Sequence, residues 1–73
     1  MPIIDVKVME KVLTPAQKQA VAQKLTDAFV EVVGEPARGV TWVVIQDIGS
    51  GQWTMGGQPV TTEGVKELLA ATG

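Results

Sequence analysis

A helix signal in the middle of this 73-residue chain restricts its fold more than any other feature. Thr14, Pro15 and Gln17 form an N-terminal capping pattern: Thr caps the helix, Pro suits its first position, and Gln completes a capping box. Gly34 supplies a C-terminal stop, and Pro36 follows two residues later. These residues predict a helix of about 20 residues, close to the upper end of the usual range.

The predicted helix has one apolar side and one polar side. Its apolar stripe follows helical spacing and consists of Val21, Leu25, Ala28 and Val32, with Phe29 beside them. Its solvent-facing side is predicted to consist of Lys18, Gln19, Gln23, Lys24, Asp27 and Glu31. The stripe therefore needs a sheet or another helix to pack against.

Strand patterns lie on both sides of this helix. Residues 2–9 alternate, with Ile4, Val6 and Val8 on one face, as expected for a strand. Residues 41–48 are rich in β-branched and aromatic side chains and are apolar on both faces, which predicts a central strand covered twice. Strand, helix and strand together form a β-α-β unit, with parallel strands and a right-handed connection.

The last third of the chain is predicted to form turns, a short extended piece or hairpin, and a short helix. Glycines flank residues 52–55 on both sides and suggest turns with positive φ. Thr61 or Thr62 is a candidate cap for the final helix, and residues 70–73 are expected to fray. The apolar face of that helix would comprise Val65, Leu68 and Leu69.

The size of the chain makes self-association an expectation. We expect one domain over residues 1–73, of the α/β (α+β) class: one β-α-β unit with parallel strands, a short hairpin or turn, and a short C-terminal helix. One helix covers only one face of a sheet, and 45% of the residues are hydrophobic. A chain this short has a large surface relative to its volume, so we expect it to assemble into an oligomer that buries the remaining apolar face.

The composition excludes most common catalytic groups. The chain contains no Cys, His or Tyr, so it can form neither a Ser-His-Asp triad nor a zinc site built on His or Cys, and we predict no metal. A net charge of -2 argues against nucleic-acid binding. Eight carboxylates, five lysines, the single arginine Arg38 and the amino terminus remain as candidates for moving protons.

The sequence shows no pattern of a targeting or membrane-spanning segment. Asp5, Lys7 and Glu10 interrupt the start of the chain, where an export signal would need an apolar stretch. The longest strongly apolar stretch, residues 40–45, is far too short to cross a bilayer. We therefore expect a cytoplasmic protein without a membrane partner.

Two short segments flank the β-α-β pattern. Met1-Pro2-Ile3-Ile4 begins the chain, and Gly51-Gln52-Trp53-Thr54-Met55-Gly56-Gly57 follows the second strand. Together with the chain length, Glu10 and Gln17-Lys18, these segments resemble the tautomerase superfamily, and most of all its short-chain 4-oxalocrotonate tautomerase group. The resemblance extends from Pro2 to about Val60.

The resemblance implies an isomerase that needs no cofactor. In that family the initiator Met is removed, and the amine of the exposed proline, here Pro2, moves a proton within a small enol or dienol acid or related carbonyl compound by a 1,3- or 1,5-transfer. An ordinary α-amino group has a pKa of about 7.7–8.0, and desolvation lowers the pKa of an amine. A neutral Pro2 amine would then act as general base, and its conjugate acid would return the proton. The resemblance also implies a homohexamer built from dimers, or a dimer, with active sites near subunit boundaries.

The candidate substrate-binding residues are Trp53, Lys11, Arg38 and Trp42. Trp53 matches the family's active-site aromatic residue. The two arginines with which well-studied members bind carboxylates have no counterpart: Glu10-Lys11 stands near the first, and Trp42, or Thr41 with a shifted gap, at the second. Lys11 and Arg38 are the nearby cations, but lysine lacks the bidentate geometry of arginine. We therefore expect a monoacid, a keto-enol compound or a less polar substrate in place of a dicarboxylate.

Two other functions remain open on the sequence alone. The chain resembles, through the aromatic residue Trp42, one subunit type of the hydrolytic dehalogenases in the superfamily, so a hydratase, dehalogenase or decarboxylase that uses Pro2 is one alternative. Met55 stands where the dehalogenases have a water-activating carboxylate. The other alternative is an oligomeric module that kept the fold without the chemistry, because the substrate-binding arginines are absent.

Overall fold

A parallel strand pair and one long helix form the body of the protein in a computed structural model that describes residues 1–72, apart from the side chain of Thr72. The first strand, β1, pairs in parallel with β2, and β3 pairs antiparallel with β4. This arrangement confirms the predicted β-α-β unit, hairpin and short C-terminal helix. The elements in chain order are β1 (Ile3–Met9), α1 (Pro15–Val33), a 3₁₀ helix (Glu35–Val40), β2 (Trp42–Ile48), β3 (Trp53–Met55), β4 (Gln58–Val60) and α2 (Thr62–Thr72).

The capping signals of α1 act as the sequence predicts. The backbone N–H of Gln17 donates to Oγ1 of Thr14 at 3.1 Å, and Oε1 of Gln17 accepts from the N–H of Thr14 at 2.9 Å. At the other end, the N–H of Gly34 donates to the carbonyl of Val30 at 2.8 Å. Gly34 has φ 113° and ψ 153°, a conformation that side chains with a Cβ avoid.

The backbone of Gly34 predicts a marked difference between two glycine substitutions. Gly34→Ala should lower the free energy of unfolding by about 1–3 kcal/mol, because an alanine at this φ and ψ is strained. A Cβ there would have open space, with Pro36 Cδ at 3.7 Å, so the cost lies in the backbone. The matched control is Gly39→Ala, where nothing lies within 4 Å of an added Cβ and φ is not in the positive region. Urea unfolding at one protein concentration measures the free energy of unfolding of both variants, and equal decreases in the two would contradict the prediction.

The parallel register assigns the side chains of the sheet to two faces. Ile3 is the partner of Trp42, and the pairing continues to Met9 and Ile48 without interruption. The face that carries Ile4, Val6, Val43 and Ile45 also carries Asp47, whose carboxylate meets Lys18 of α1 at 2.8 Å. This face therefore lies against α1, in agreement with the alternation predicted for β1.

The face of α1 that meets the sheet differs from the predicted stripe. Val21, Leu25 and Phe29 are partly covered and Val30 is buried, but Ala28 is exposed and Val32 is 85% exposed. Each residue advances about 100° around a helix, so Val32 lies about 60° away from Phe29 and beyond the edge of a sheet only two strands wide. The same rotation turns Lys18 toward the sheet, so its assignment to the solvent side was wrong.

On the opposite side of the sheet, the carboxyl end is covered, with Met9 buried and Ile48 partly covered, but the amino-terminal part has no cover among residues 1–72. Ile3, Trp42 and Val44 are all exposed there, and we call this surface the open face. In residues 1–72, β2 pairs with β1 alone, so the prediction of a central, doubly covered strand is wrong for a single copy.

The accessible surface area of 5338 Å² exceeds the roughly 4300 Å² of a compact monomer of this mass. Likewise the radius of gyration, 14.7 Å, exceeds the roughly 11 Å expected for 73 residues.

The C-terminal third forms an extension that we call the arm, residues 53–72. Gly56 and Gly57 connect β3 to β4 with φ of 58° and 81°, as tight hairpin turns require. Thr61 caps α2, because its Oγ1 accepts from the N–H of Gly64 at 3.1 Å. Residues 70–72 are helical, and Gly73, the last residue of the segment expected to fray, lies outside the described residues.

Candidate active site

Pro2 lies at the amino end of the sheet, next to the first residue of β2. Its carbonyl accepts a hydrogen bond from the N–H of Trp42 at 2.9 Å, and its side chain is half-buried. The indole of Trp42 is 55% exposed, and its strand partner Ile3 is 63% exposed. The candidate base and the residue at the position of the second family arginine are therefore joined through the backbone, next to the exposed apolar side chains of Ile3 and Trp42.

Arg38 is held by carboxylates of its own chain. Its Nε donates to Glu35 at 2.7 Å and its Nη1 to Asp27 at 2.6 Å, which ties the 3₁₀ helix to α1. The hydrogen bond from Arg38 lowers the pKa of the Glu35 carboxyl, and the bonds to Glu35 and then Asp27 raise the pKa of Arg38. The only arginine of the chain thus precedes β2 with its charge balanced by two carboxylates.

Lys11 occupies the turn after β1, at the other end of the sheet. Its φ of 63° makes it the one residue other than glycine with a positive φ among residues 1–72. The N–H of Glu10, just before it, donates to the carbonyl of Ile48 at 2.8 Å and so joins this turn to the end of β2. The Lys11 side chain is exposed and forms no ion pair with the described residues. Lys11 therefore presents an uncompensated positive charge.

Trp53 lies at the same end of the sheet as Lys11. It belongs to β3, is 39% exposed, and borders an apolar cleft of about 340 Å³ between the arm and the end of β1. Val12, which follows Lys11 in the chain, lines the same cleft. The complete lining is Val8, Met9, Val12, Trp53, Met55, Val60, Val65 and Leu68.

One chain does not bring all these residues together. Pro2 and Trp42 stand at the amino end of the sheet, whereas Lys11 and Trp53 stand at its carboxyl end. Strand β1 separates the two groups by about 20 Å, since seven residues rise about 3.3 Å each. A small enol acid cannot bridge that distance, so Pro2 and Trp53 can contact one substrate only if they come from different copies.

Three residues at the carboxyl end, Glu10, Ser50 and Thr62, meet in a way that the sequence did not predict. Ser50 donates its backbone N–H to the Glu10 carboxylate at 2.7 Å, and its Oγ accepts from the N–H of Thr62 at 3.0 Å. In the sequence, Glu10 contributed to the family resemblance, and Thr62 was a candidate helix cap. No pattern links positions 10, 50 and 62, because the contact exists only after the chain has folded.

Two further features bear on the chemistry. Within residues 1–72, no group of three or more His, Cys, Asp or Glu side chains is arranged to hold a metal ion. In that same part of the chain, neither helix combines the length and the apolar character needed to cross a membrane.

Solved structures with similar folds are 4-oxalocrotonate tautomerases and their homologues. A 4-oxalocrotonate tautomerase isozyme from Methylibium petroleiphilum is 33% identical over 88% of this chain and 97% of its own, with a TM-score of 0.71. TomN, a 4-oxalocrotonate tautomerase homologue in the tomaymycin biosynthetic pathway, is 29% identical over 81% of this chain and 88% of its own, with a TM-score of 0.74. DmpI from Helicobacter pylori is 26% identical over 81% of this chain and 95% of its own, with a TM-score of 0.72.

Most of the chain also matches the model of a single protein family. No curated protein sequence matches the chain significantly. The family model described as tautomerase enzyme matches residues 2–63, which include Pro2, the β-α-β unit and the hairpin. The match covers far more than half of the 73 residues, and a solved relative that is 33% identical covers 88% of the chain. The chain therefore belongs to the tautomerase family.

Proposed function

We propose that this protein is a cofactor-independent tautomerase in which Pro2, exposed by removal of Met1, is the general base and general acid. The observation that carries the proposal is the family match over residues 2–63, which includes this proline at the amino end of β1. The carboxylate nearest in the sequence, Asp5, is engaged by Lys7 at 2.6 Å and is a weak competitor for the role. The amine is the better base near neutral pH.

The proposed reaction moves one proton and leaves the composition of the substrate unchanged. The neutral Pro2 amine accepts the proton of an enol hydroxyl, the electron pair of that bond forms the carbonyl, and the protonated amine delivers a proton to the carbon. Ile3 follows Pro2 in the chain, the N–H of Trp42 donates to the Pro2 carbonyl, and both side chains offer exposed apolar surface at this end of the sheet. Covering that surface would exclude water and disfavour the ammonium form, which lowers the pKa of the amine.

We propose that the working site forms between copies of the chain. The open face, with Ile3, Trp42 and Val44, supplies apolar surface suited to self-association. The accessible surface area of the single chain is larger than that of a compact monomer, which supports the same proposal. A homo-oligomer, either a dimer or a hexamer built from dimers, would place Trp53 and Lys11 of one copy near Pro2 of another. Such a site would hold a base, an apolar wall and one cation.

The proposed substrate class is a small enol acid with one carboxylate and an apolar part. Arg38 is already paired with two carboxylates, and Trp42 stands at the position of the second family arginine. Lys11 is the remaining cation of the candidate site, and Val12, which follows it in the chain, lines the apolar cleft that Trp53 borders. One carboxylate can be neutralised in this arrangement, whereas a second would lie against the indole of Trp42.

This arrangement predicts a preference between two enol acids. Ketonisation of phenylenolpyruvate, a monoacid, should exceed that of the dicarboxylate 2-hydroxymuconate by about 10- to 100-fold in kcat/KM, the equivalent of one missing charged hydrogen bond. Absorbance assays at pH 7 measure both rates. Trp42→Arg should narrow or reverse the ratio because a guanidinium can bind the second carboxylate. Trp42→Phe, which keeps an aromatic ring, is the matched control and should preserve the preference; a wild-type preference for the dicarboxylate would contradict the prediction.

A further inference from the structure

Three segments that are distant in the sequence meet at the base of the arm. The side chain of Thr62, at the start of α2, donates its hydroxyl to the carbonyl of Glu10 at 2.9 Å. Its backbone N–H donates to Oγ of Ser50 at 3.0 Å, and the N–H of Ser50 donates to the Glu10 carboxylate at 2.7 Å. These bonds close a ring through the turns that follow β1 and β2. We call Glu10, Ser50 and Thr62 the fastener.

Thr62 is the buried member of the fastener. It is 5% exposed, and it is the one buried polar residue among the described residues. Helix capping does not explain its hydroxyl, because the cap of α2 is Thr61. A buried hydroxyl that bonds outside its own helix connects two elements directionally, and removing it would leave the Glu10 carbonyl without this donor.

A hydrogen bond next to the fastener links it to the strand pair that carries Trp53. The N–H of Gly51, next to Ser50, donates to the carbonyl of Val60 at 3.1 Å, and Val60 is the strand partner of Trp53. A shift of the arm at Thr62 would therefore move both hairpin strands relative to β1. The cleft under the arm is lined by apolar side chains, whose contacts have no preferred direction, so hydrogen bonds must set the angle.

We propose that Glu10, Ser50 and Thr62 are positioning residues that set the location of Trp53 for substrate binding. This inference rests on the proposed tautomerase function for its catalytic consequence. Its structural part, that the fastener orients the arm, is measurable without any substrate. None of the three side chains needs to touch the substrate in this proposal, since they act through the base of the hairpin.

The decisive variant is Thr62→Val, which keeps the shape of the side chain and removes the hydroxyl. We expect KM for phenylenolpyruvate to rise about 5- to 10-fold with kcat changed less than about twofold, because losing one buried hydrogen bond displaces the binding wall and leaves the base in place. Thr62→Ser restores the donor and should return KM to within about twofold of the wild-type value. Glu10→Gln retains the carbonyl oxygen that can accept from Ser50, so it should have the smaller effect.

The matched control is Thr26→Val in α1. Its hydroxyl also donates to a backbone carbonyl, that of Ala22, at 2.8 Å and in a half-buried position, but within the helix and outside the arm. Both variants lose one threonine hydroxyl of similar geometry. General destabilisation would therefore affect them alike, whereas positioning would affect only Thr62→Val.

A spectroscopic measurement separates the inference from the proposed function. In a Trp42→Phe background Trp53 is the sole tryptophan, and its fluorescence and acrylamide quenching report its surroundings. Thr62→Val should raise the quenching constant of folded protein by about half or more, since a displaced side chain gains exposure, whereas Thr26→Val should not.

A change in quenching without any tautomerase activity would support the fastener and reject the proposed function. Quenching that is identical in the two variants, or a KM that Thr26→Val raises equally, would overturn the fastener.

Discussion

Blocking the amine of Pro2 should lower kcat/KM by about 10²- to 10⁴-fold, the range that a general acid-base group contributes. The sharpest form of this test inserts one glycine between Met1 and Pro2. The nitrogen of Pro2 then remains an amide after Met1 is removed and has no basic electron pair. Pro2→Ala keeps an α-amine and should show a smaller loss. Ketonisation of phenylenolpyruvate measures both variants.

Controls for the proline experiment are an intact mass and a folding check. The mass of the wild-type protein should show that Met1 is absent, and the circular dichroism of the inserted variant should match the wild-type spectrum. Activity should rise with pH through the pKa of the amine, because only the neutral form accepts a proton. Wild-type protein that retains Met1 and still catalyses tautomerisation, or full activity after the insertion, would refute the proposed role of Pro2. A wild-type chain without activity would instead favour the non-enzymatic module.

Val44→Lys on the open face should dissociate the oligomer and remove most of the activity. Burying an unpaired ammonium costs several kcal/mol, so we expect the association constant to fall at least about 10²-fold. The variant spares the single chain, because the side chain of Val44 is exposed there. Activity should fall with dissociation, since Pro2 and Trp53 stand at opposite ends of one chain.

Sedimentation velocity over a range of concentrations measures that dissociation. The matched control is Val32→Lys, the same substitution at a valine that is 85% exposed on α1, the helix that covers the other side of the sheet. This control should sediment and react like the wild-type protein. A wild-type chain that sediments as a monomer while remaining active would contradict the proposal that the site lies between copies.

The local elements were predictable because their signals are local. The capping box of Thr14 and Gln17 needs residues three positions apart, and both of its hydrogen bonds form as predicted. Gly56 and Gly57 indicate a turn in the same way, since few other residues tolerate their positive φ. The family resemblance was equally accessible, because it rests on short segments around Pro2 and Trp53.

The rotation of α1 was not predictable from its periodicity. Val21, Val32 and Phe29 are all apolar, so the stripe is wide enough to permit several orientations about the helix axis. The sheet has only two strands and leaves Val32 uncovered, and the pairing of Lys18 with Asp47 favours the orientation that is observed. Which side of a helix faces inward therefore depends on the element against which the helix packs.

The sequence by itself determined the element order, the caps, the turns and the absence of any His, Cys or Tyr, and it identified the amino terminus as a candidate base. Those features depend on residue identity or on spacings within a turn or two of chain. Only the tertiary structure decided that Arg38 is paired, that Pro2 and Trp53 stand at opposite ends of the sheet, and that Glu10, Ser50 and Thr62 meet. Those relations join residues up to 52 positions apart, and their distances are set by strand register and packing, which no local pattern contains.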